Sequence, residues 1–173
     1  MATFDEVIAA YYNAGSLGYL SSSQAQFTHS LWLADIAYSY AGVGIKVAEN
    51  QTLFFSMTSL NSGEIDVRTV ERPLGTGERY TVSNVAFGIG YGQRITDRFS
   101  AGLQLSYIQE SIWHSSLSAF ALNLGTLYQV SPEGLRIGAS ISNFGTRARY
   151  TGRDLRIRYD LDQNKYGDNS NLP

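Results

Sequence analysis

The chain has 173 residues, of which 17 are Gly and 12 Tyr; 16% are charged, Cys is absent and the formal net charge is −2. Soluble domains carry roughly 25% charged residues, and here, at a mean hydropathy of −0.16, Gly, Ser, Thr, Asn, Gln and Tyr fill the shortfall rather than aliphatic side chains. This balance excludes a disordered chain, a disulfide scaffold or thiolate metal site and nucleic-acid binding through a basic field; a spanning helix is excluded because no run nears 18 apolar residues.

Met1 to Ala10 carries Asp5 and Glu6 and no basic residue, the reverse of a signal peptide's positive start. Residues 4–12 read as a short helix, with Thr3 and Glu6 spaced as a capping box and Asn13, Gly15 and Gly18 as its stop. No second helix is expected. Beyond it the chain reads as strands over 24–32, 35–47, 51–60, 83–95, 99–109, 117–129 and 134–143. The second strand holds two half-patterns of opposite parity, Ile36, Tyr38 and Tyr40, then Val43, Ile45 and Val47, and a bulge at Ala41-Gly42 reconciles them.

The pattern is sharpest from Val85 onward. Val85, Phe87, Ile89 and Tyr91 oppose Ala86, Gly88, Gly90 and Gly92; Phe99, Ala101, Leu103, Leu105 and Tyr107 oppose Ser100, Gly102, Gln104 and Ser106. Phe120, Leu122, Leu124 and Tyr128 then oppose Ala121, Asn123 and Gly125, and Ile137 and Ile141 oppose Gly138 and Ser140. Side chains alternate along a strand, so each strand has one large apolar face and one nearly bare face.

Short connections at 48–51, 96–98 and 130–133 alternate with longer polar ones at 61–82, 109–117 and beyond 144. With strands of about ten residues that end in aromatics, this is the pattern of a transmembrane β-barrel, large face to lipid and small polar face to the lumen. The turns at Thr96–Arg98 and Ser131–Glu133 are then expected on the periplasmic side. A soluble antiparallel barrel or sandwich is the alternative, but soluble strands place Lys, Glu and Thr outside and charge their edges. Residues 149–160 carry charge on both parities, which hydrocarbon tolerates poorly, so they read as a hairpin or extended loop. Seven strands leave two unpaired edges, and orphaned backbone groups are costly in lipid. The sheet is expected to need further strands or a second copy to close.

The motifs that suggest other chemistry are weak. Gly88, Gly90 and Gly92 lie G-x-G-x-G inside a strand, not as G-x-G-x-x-G between strand and helix, and read as bare lumen or close backbone packing. His29 and His114 are far apart, without the acid or further ligands that catalysis or a metal needs. Asp160, Asp162 and Asn164 begin like a calcium loop, but Lys165 stands where Gly is required. Arg147, Arg149, Arg153, Arg156 and Arg158 fall close together on the long-loop side. Arg presents a planar fork of donors that suits phosphate, so these five are candidate lipopolysaccharide-facing residues, with solubility and pairing to Asp154 and Asp160 as the plainer role.

Several runs carry a family resemblance. Leu31-Trp32-Leu33-Ala34-Asp35-Ile36, Gly75-Thr76-Gly77-Glu78-Arg79, Thr96-Asp97-Arg98-Phe99-Ser100 with Gly102, and Tyr107-Ile108-Gln109-Glu110 come in this order. Leu124-Gly125-Thr126-Leu127-Tyr128 follows, then Gly134 to Gly145 with Ser142-Asn143-Phe144-Gly145 inside it. In order and spacing they resemble the PorV/PorQ family of bacterial outer-membrane barrels, which is similar to the FadL-type channels. Tyr12-Asn13-Ala14-Gly15 stands where members carry Asn-Pro-Ala-Gly. The resemblance implies an all-β protein of the bacterial outer membrane, not an enzyme and without cofactor. Residues 1–23 would be an N-terminal helix and hatch-like segment, and residues 24–173 a partial antiparallel transmembrane β-barrel, the N-terminal half of a larger FadL-like one. It implies two roles: type IX secretion, with cargo held at the outer membrane, or a FadL-like passive route for hydrophobic molecules. The implied partners are outer-membrane lipid and lipopolysaccharide, secreted cargo domains or other secretion components, and a hydrophobic small molecule. A soluble small-barrel carrier stays as the third reading of the residues.

Overall fold

Alternation of large and small side chains produces one antiparallel sheet of seven long strands. A computed structural model describes residues 5–131 and 134–155. After a single helical turn, α1 (Ala9–Tyr12), and a 3-10 helix (Ala14–Tyr19) come β1 (Gln24–Leu31), β2 (Ala37–Ala48) and β3 (Gln51–Asn61). The connection from Asn61 to Val82 contains the two-residue strands β4 (Ile65–Asp66) and β5 (Arg79–Tyr80), paired with each other. Then come β6 (Val82–Thr96), β7 (Phe99–Ile112), β8 (Ser115–Gln129), β9 (Arg136–Gly145) and the short β10 (Thr151–Gly152). The main sheet runs β1-β2-β3-β6-β7-β8, with β9 and β10 both paired to β8. Among the described residues β1 and β9 have one long neighbour each, so the sheet is open.

Register turns the alternation of single strands into rows across the sheet. Leu53, Tyr91, Leu103, Leu124 and Ile141 lie side by side on five strands. Phe55, Ile89, Leu105 and Leu122 form the next row, and Met57, Phe87, Tyr107 and Phe120 the one beyond. The opposite face holds Gly92, Gly102, Gly125 and Ser140 in one row and Gly90, Gln104 and Asn123 in another. The division expected from the sequence is the one observed. The large face lies open, with Phe87 53% and Leu105 45% exposed. The buried apolar cluster sits on the small face: Val7, Ala10, Leu17 and Leu20 of the N-terminal segment close over Phe54 of β3.

Short 3-10 helices at Ala14–Tyr19, Leu33–Asp35 and Arg153–Leu155 stand where no second helix is expected, and β2 begins at Ala37 rather than at residue 35; four further details depart from the sequence reading. First, the helix is shorter than residues 4–12. Ile8 precedes α1 without a side-chain cap, and Thr3 lies outside the described residues. Asn13 is extended, with φ −153°, and Gly15 and Gly18 sit inside the 3-10 helix rather than stopping α1. Second, β2 has no bulge at Ala41-Gly42; its register is continuous from Ala37 and slips only between Lys46 and Ala48. The parity change has another cause: Tyr40 turns to the inner face to meet Tyr11 of α1, ring centroids 5.3 Å apart at 85°. Third, 109–117 is not a loop. Gln109, Glu110 and Ser111 pair with Ser118, Leu117 and Ser116, and only Trp113 and His114 make the turn. Polar residues past the apolar rows continue the strands rather than open a loop. At this end the loop-length argument for sidedness therefore rests mainly on the connection from Asn61 to Val82.

The fourth departure is in β9, which reaches Gly145 through a bulge. Ile141 pairs with Leu124 and Phe144 with Leu122, so Ser142 and Asn143 together oppose Asn123. Asn143 has φ 58° and donates its N–H to Asn123 Oδ1 at 2.7 Å. Asn is one of the few residues that tolerate this left-handed conformation. Replacing Asn143 by Val should destabilise the sheet by about 1–2 kcal/mol, whereas Asn143→Gly should stay close to the parent; denaturant unfolding of the three proteins checks this.

Candidate functional site

The N-terminal segment reaches the sheet through a groove of glycines. Gly92, Gly102 and Gly125 are aligned on β6, β7 and β8. A Cβ on Gly92 would collide with Leu17 Cβ, one on Gly102 with the Ala14 carbonyl, and one on Gly125 with Asn13 Oδ1. The approach is mutual. A Cβ on Gly15 would lie 2.9 Å from Thr126 Cα, and one on Gly18 2.7 Å from the Arg94 nitrogen. Backbone thus packs on backbone, and polar groups fix the position. Asn13 Oδ1 accepts from the Gly15 N–H at 2.9 Å, while Asn13 Nδ2 donates to the Thr126 carbonyl at 3.1 Å. The hydroxyl of fully buried Ser100 donates to the Gly15 carbonyl at 2.7 Å. The ends are tied as well: Lys46 Nζ donates to the Leu20 carbonyl at 2.8 Å, and Gln24 Oε1 accepts from the Val7 N–H at 3.0 Å.

Above this seat the inner face opens into a cleft of about 420 Å³. Its floor is a chain of amides. Asn143 donates its backbone N–H to Asn123, whose Nδ2 donates to Gln104 Oε1 at 3.5 Å, and Gln104 Nε2 donates to Ser56 Oγ at 3.1 Å. The last link crosses β6 at Gly88, where a Cβ would strike both Gln104 Nε2 and Ser56 Oγ. The wall is aromatic: Tyr11 meets Tyr12 edge-on at 5.1 Å and Tyr40 at 5.3 Å. Among the described residues, no charged side chain lines the cleft.

Of the five candidate arginines, Arg147, Arg149 and Arg153 are exposed at the end of the sheet remote from the seat, while Arg156 and Arg158 lie outside the described residues. Arg153 Nη2 lies 3.1 Å from both ring nitrogens of His114, which stacks on Trp113 at 4.3 Å. His29 is exposed on β1, its Nδ1 2.9 Å from Ser39 Oγ. Neither histidine joins a group of metal-ligating side chains among the described residues. Asp160, Asp162 and Asn164 are outside the described residues. In the connection before β6, Arg79 pairs with Glu64 at 2.6 Å and Asp66 at 3.2 Å, and the hydrogen bond to Glu64 raises the guanidinium's pKa. Glu110 likewise raises the Tyr150 phenol by accepting its hydrogen bond.

The residues that build the seat were visible only in part. Gln104 and Asn123 were expected on the inner face, but the alignment of Gly92, Gly102 and Gly125 needs strand register, and the anchoring role of Asn13 needs the fold. Comparison with protein-family models, with curated proteins and with solved structures gave no match.

Putting a side chain into the groove should unseat the segment. Gly102→Val forces a Cβ and two methyls into the Ala14 backbone, an overpacking that costs on the order of 1–3 kcal/mol. Amide hydrogen exchange over residues 9–19 should rise sharply in Gly102→Val and more mildly in Asn13→Ala. The strand pairs β2–β3 and β6–β7 should stay protected in both.

Proposed function

We propose that the chain is part of a bacterial outer-membrane β-barrel resembling the PorV/PorQ family, and that it serves secretion by holding cargo at the outer membrane. The observation that supports this is the division of one sheet into two unlike faces. On the outer face, the apolar stretch of β7 runs from Phe99 to Tyr107 with an aromatic at each end, and β8 repeats it from Phe120 to Tyr128. About nine to eleven residues is the length of a tilted strand in a bilayer. In water this open face would leave adjoining rows of Phe87, Ile89, Leu103, Leu105, Phe120 and Leu124 exposed, the kind of contiguous apolar patch that marks a membrane or partner surface. A soluble small-barrel carrier would have to fold that face inward, yet the buried cluster already lies on the other side. In hydrocarbon, the free edges of β1 and β9 must meet further strands, from the same chain or another copy.

The seated N-terminal segment acts as a hatch against the lumen wall. A FadL-like hydrophobic route is the second reading, supported by the presence of such a hatch. The wall beside it argues against that reading, because Ser56, Gln104 and Asn123 offer amides and hydroxyls where an alkyl chain needs apolar surface. Secretion is preferred for that reason. The exposed Arg147, Arg149 and Arg153, at the end away from the seat, suit lipopolysaccharide phosphates.

The membrane part of this reading is tested by solubility and by one substitution. The chain should stay monodisperse in detergent and aggregate without it; a monodisperse detergent-free protein would favour the soluble carrier. Leu105→Arg should lower stability in lipid vesicles by about 2–4 kcal/mol if residue 105 sits at the bilayer midplane, read from urea unfolding of the two proteins. The role is tested in cells that lack the protein. Cargo should build up in the periplasm, whereas normal surface cargo with lost laurate uptake would favour the passive route.

A further inference from the structure

We propose that the cleft between α1 and the inner face of β3, β6, β7, β8 and β9 binds an uncharged, hydroxyl-rich ligand of the neutral saccharide class. It is about 420 Å³ in volume, within the range of small-molecule sites. Its two walls differ in chemistry. Tyr11 and Tyr12 stand half-exposed on one side, at 49% and 50%, and their rings offer flat apolar surface with a polar tip. Across from them lies the amide chain of Gln104 and Asn123, with Ser56 and Ser106. Gln104 Nε2 spends one N–H on Ser56 and Asn123 Nδ2 spends one on Gln104. An amide carries two, so each keeps a second donor for a ligand, besides unused acceptor capacity.

The same features reject other ligands. With no charged lining residue among those described, an anion or cation would lose its hydration without compensation. An alkyl chain would cover amides whose remaining hydrogen bonds it cannot satisfy, at a cost of about 1–3 kcal/mol for each. A sugar ring meets both walls, presenting C–H faces to the tyrosines and hydroxyls to the amides. Gly88 keeps the floor intact, because a side chain there would displace Gln104 from Ser56. The site needs only the sheet and its seated N-terminal segment. It therefore stands whether the opposite face meets lipid or not, and its failure is separate from failure of the membrane reading.

The test uses the full chain folded in lauryldimethylamine oxide, a detergent without a sugar headgroup, with circular dichroism to verify the β-sheet. Maltose, sucrose and N-acetylglucosamine are offered in turn and followed by saturation-transfer NMR and calorimetry, with glucose 6-phosphate and laurate as charged and alkyl comparisons. At least one neutral sugar should bind, and Gln104→Leu should weaken it about tenfold. Tyr12→Leu changes a half-exposed ring outside the buried cluster, and should weaken binding with the β-sheet spectrum unchanged. No sugar binding by the folded chain would overturn the proposal. So would equal affinity in both variants, or preference for laurate or the phosphorylated sugar.

Discussion

Everything on the inner face depends on how closely two backbones approach. Where Gly92, Gly102 and Gly125 align, the sheet has no side chains, and the segment carrying Gly15 and Gly18 lies against the bare strands. Dispersion forces fall off steeply with separation, so a contact without intervening side chains is strong for its area. It also brings buried amides and carbonyls together, and Asn13 and Ser100 satisfy them. The groove thereby sets the height of α1, which in turn places Tyr11 and Tyr12 over the amide chain.

The two faces of the sheet are built by different rules. On the outer face bulk alone counts: Leu, Ile and Phe occupy the rows interchangeably, and nothing within the described chain covers them. On the inner face identity counts position by position. Gly88 is bare so that Gln104 can reach Ser56, and Gly42 so that the Tyr40 ring can lie over it. The glycines of this chain are spaces reserved for particular neighbours rather than sites of flexibility. Low charge follows from the same division, since the outer face gives charge no favourable surroundings and the inner face is filled by neutral hydrogen-bonding groups.

This division also explains how far the sequence could be read. Period-two alternation located all seven long strands and separated Leu103 and Leu105 from Gln104, because alternation is a local property. β1, the weakest in sequence, follows the same rule, with Gln24, Gln26 and Thr28 on the inner side and Phe27 outside. Misreadings arose where a local signal had a distant cause. Tyr38 and Tyr40 imitated a bulge because their parity is set by Tyr11. Gln109 to Ser111 imitated a loop because polar residues also occupy strands beyond the apolar rows. Asn13 reads locally as a helix stop, and Gly92 as bare lumen or close backbone packing; close packing is what the structure has, but its partner depends on register across three strands. The bulge at Asn143 had no local signal beyond an Asn that tolerates positive φ.

Sequence distance gives the seat a further consequence, in the order of assembly. Asn13 bonds to Thr126 across 113 positions and Ser100 to Gly15 across 85. The long strands, by contrast, are linked mainly as neighbours through hairpins such as the one at Trp113-His114. Contacts between distant residues carry a larger loop-closure cost and form slowly. The segment from Val7 to Leu20 therefore has no surface to dock on until β6, β7 and β8 have paired. In that interval Val7, Leu17 and Leu20 stay uncovered, an apolar segment that a holding factor has reason to grip. The asymmetry persists after folding: the piece that arrives last can leave first, while the ladders that formed without it remain in place.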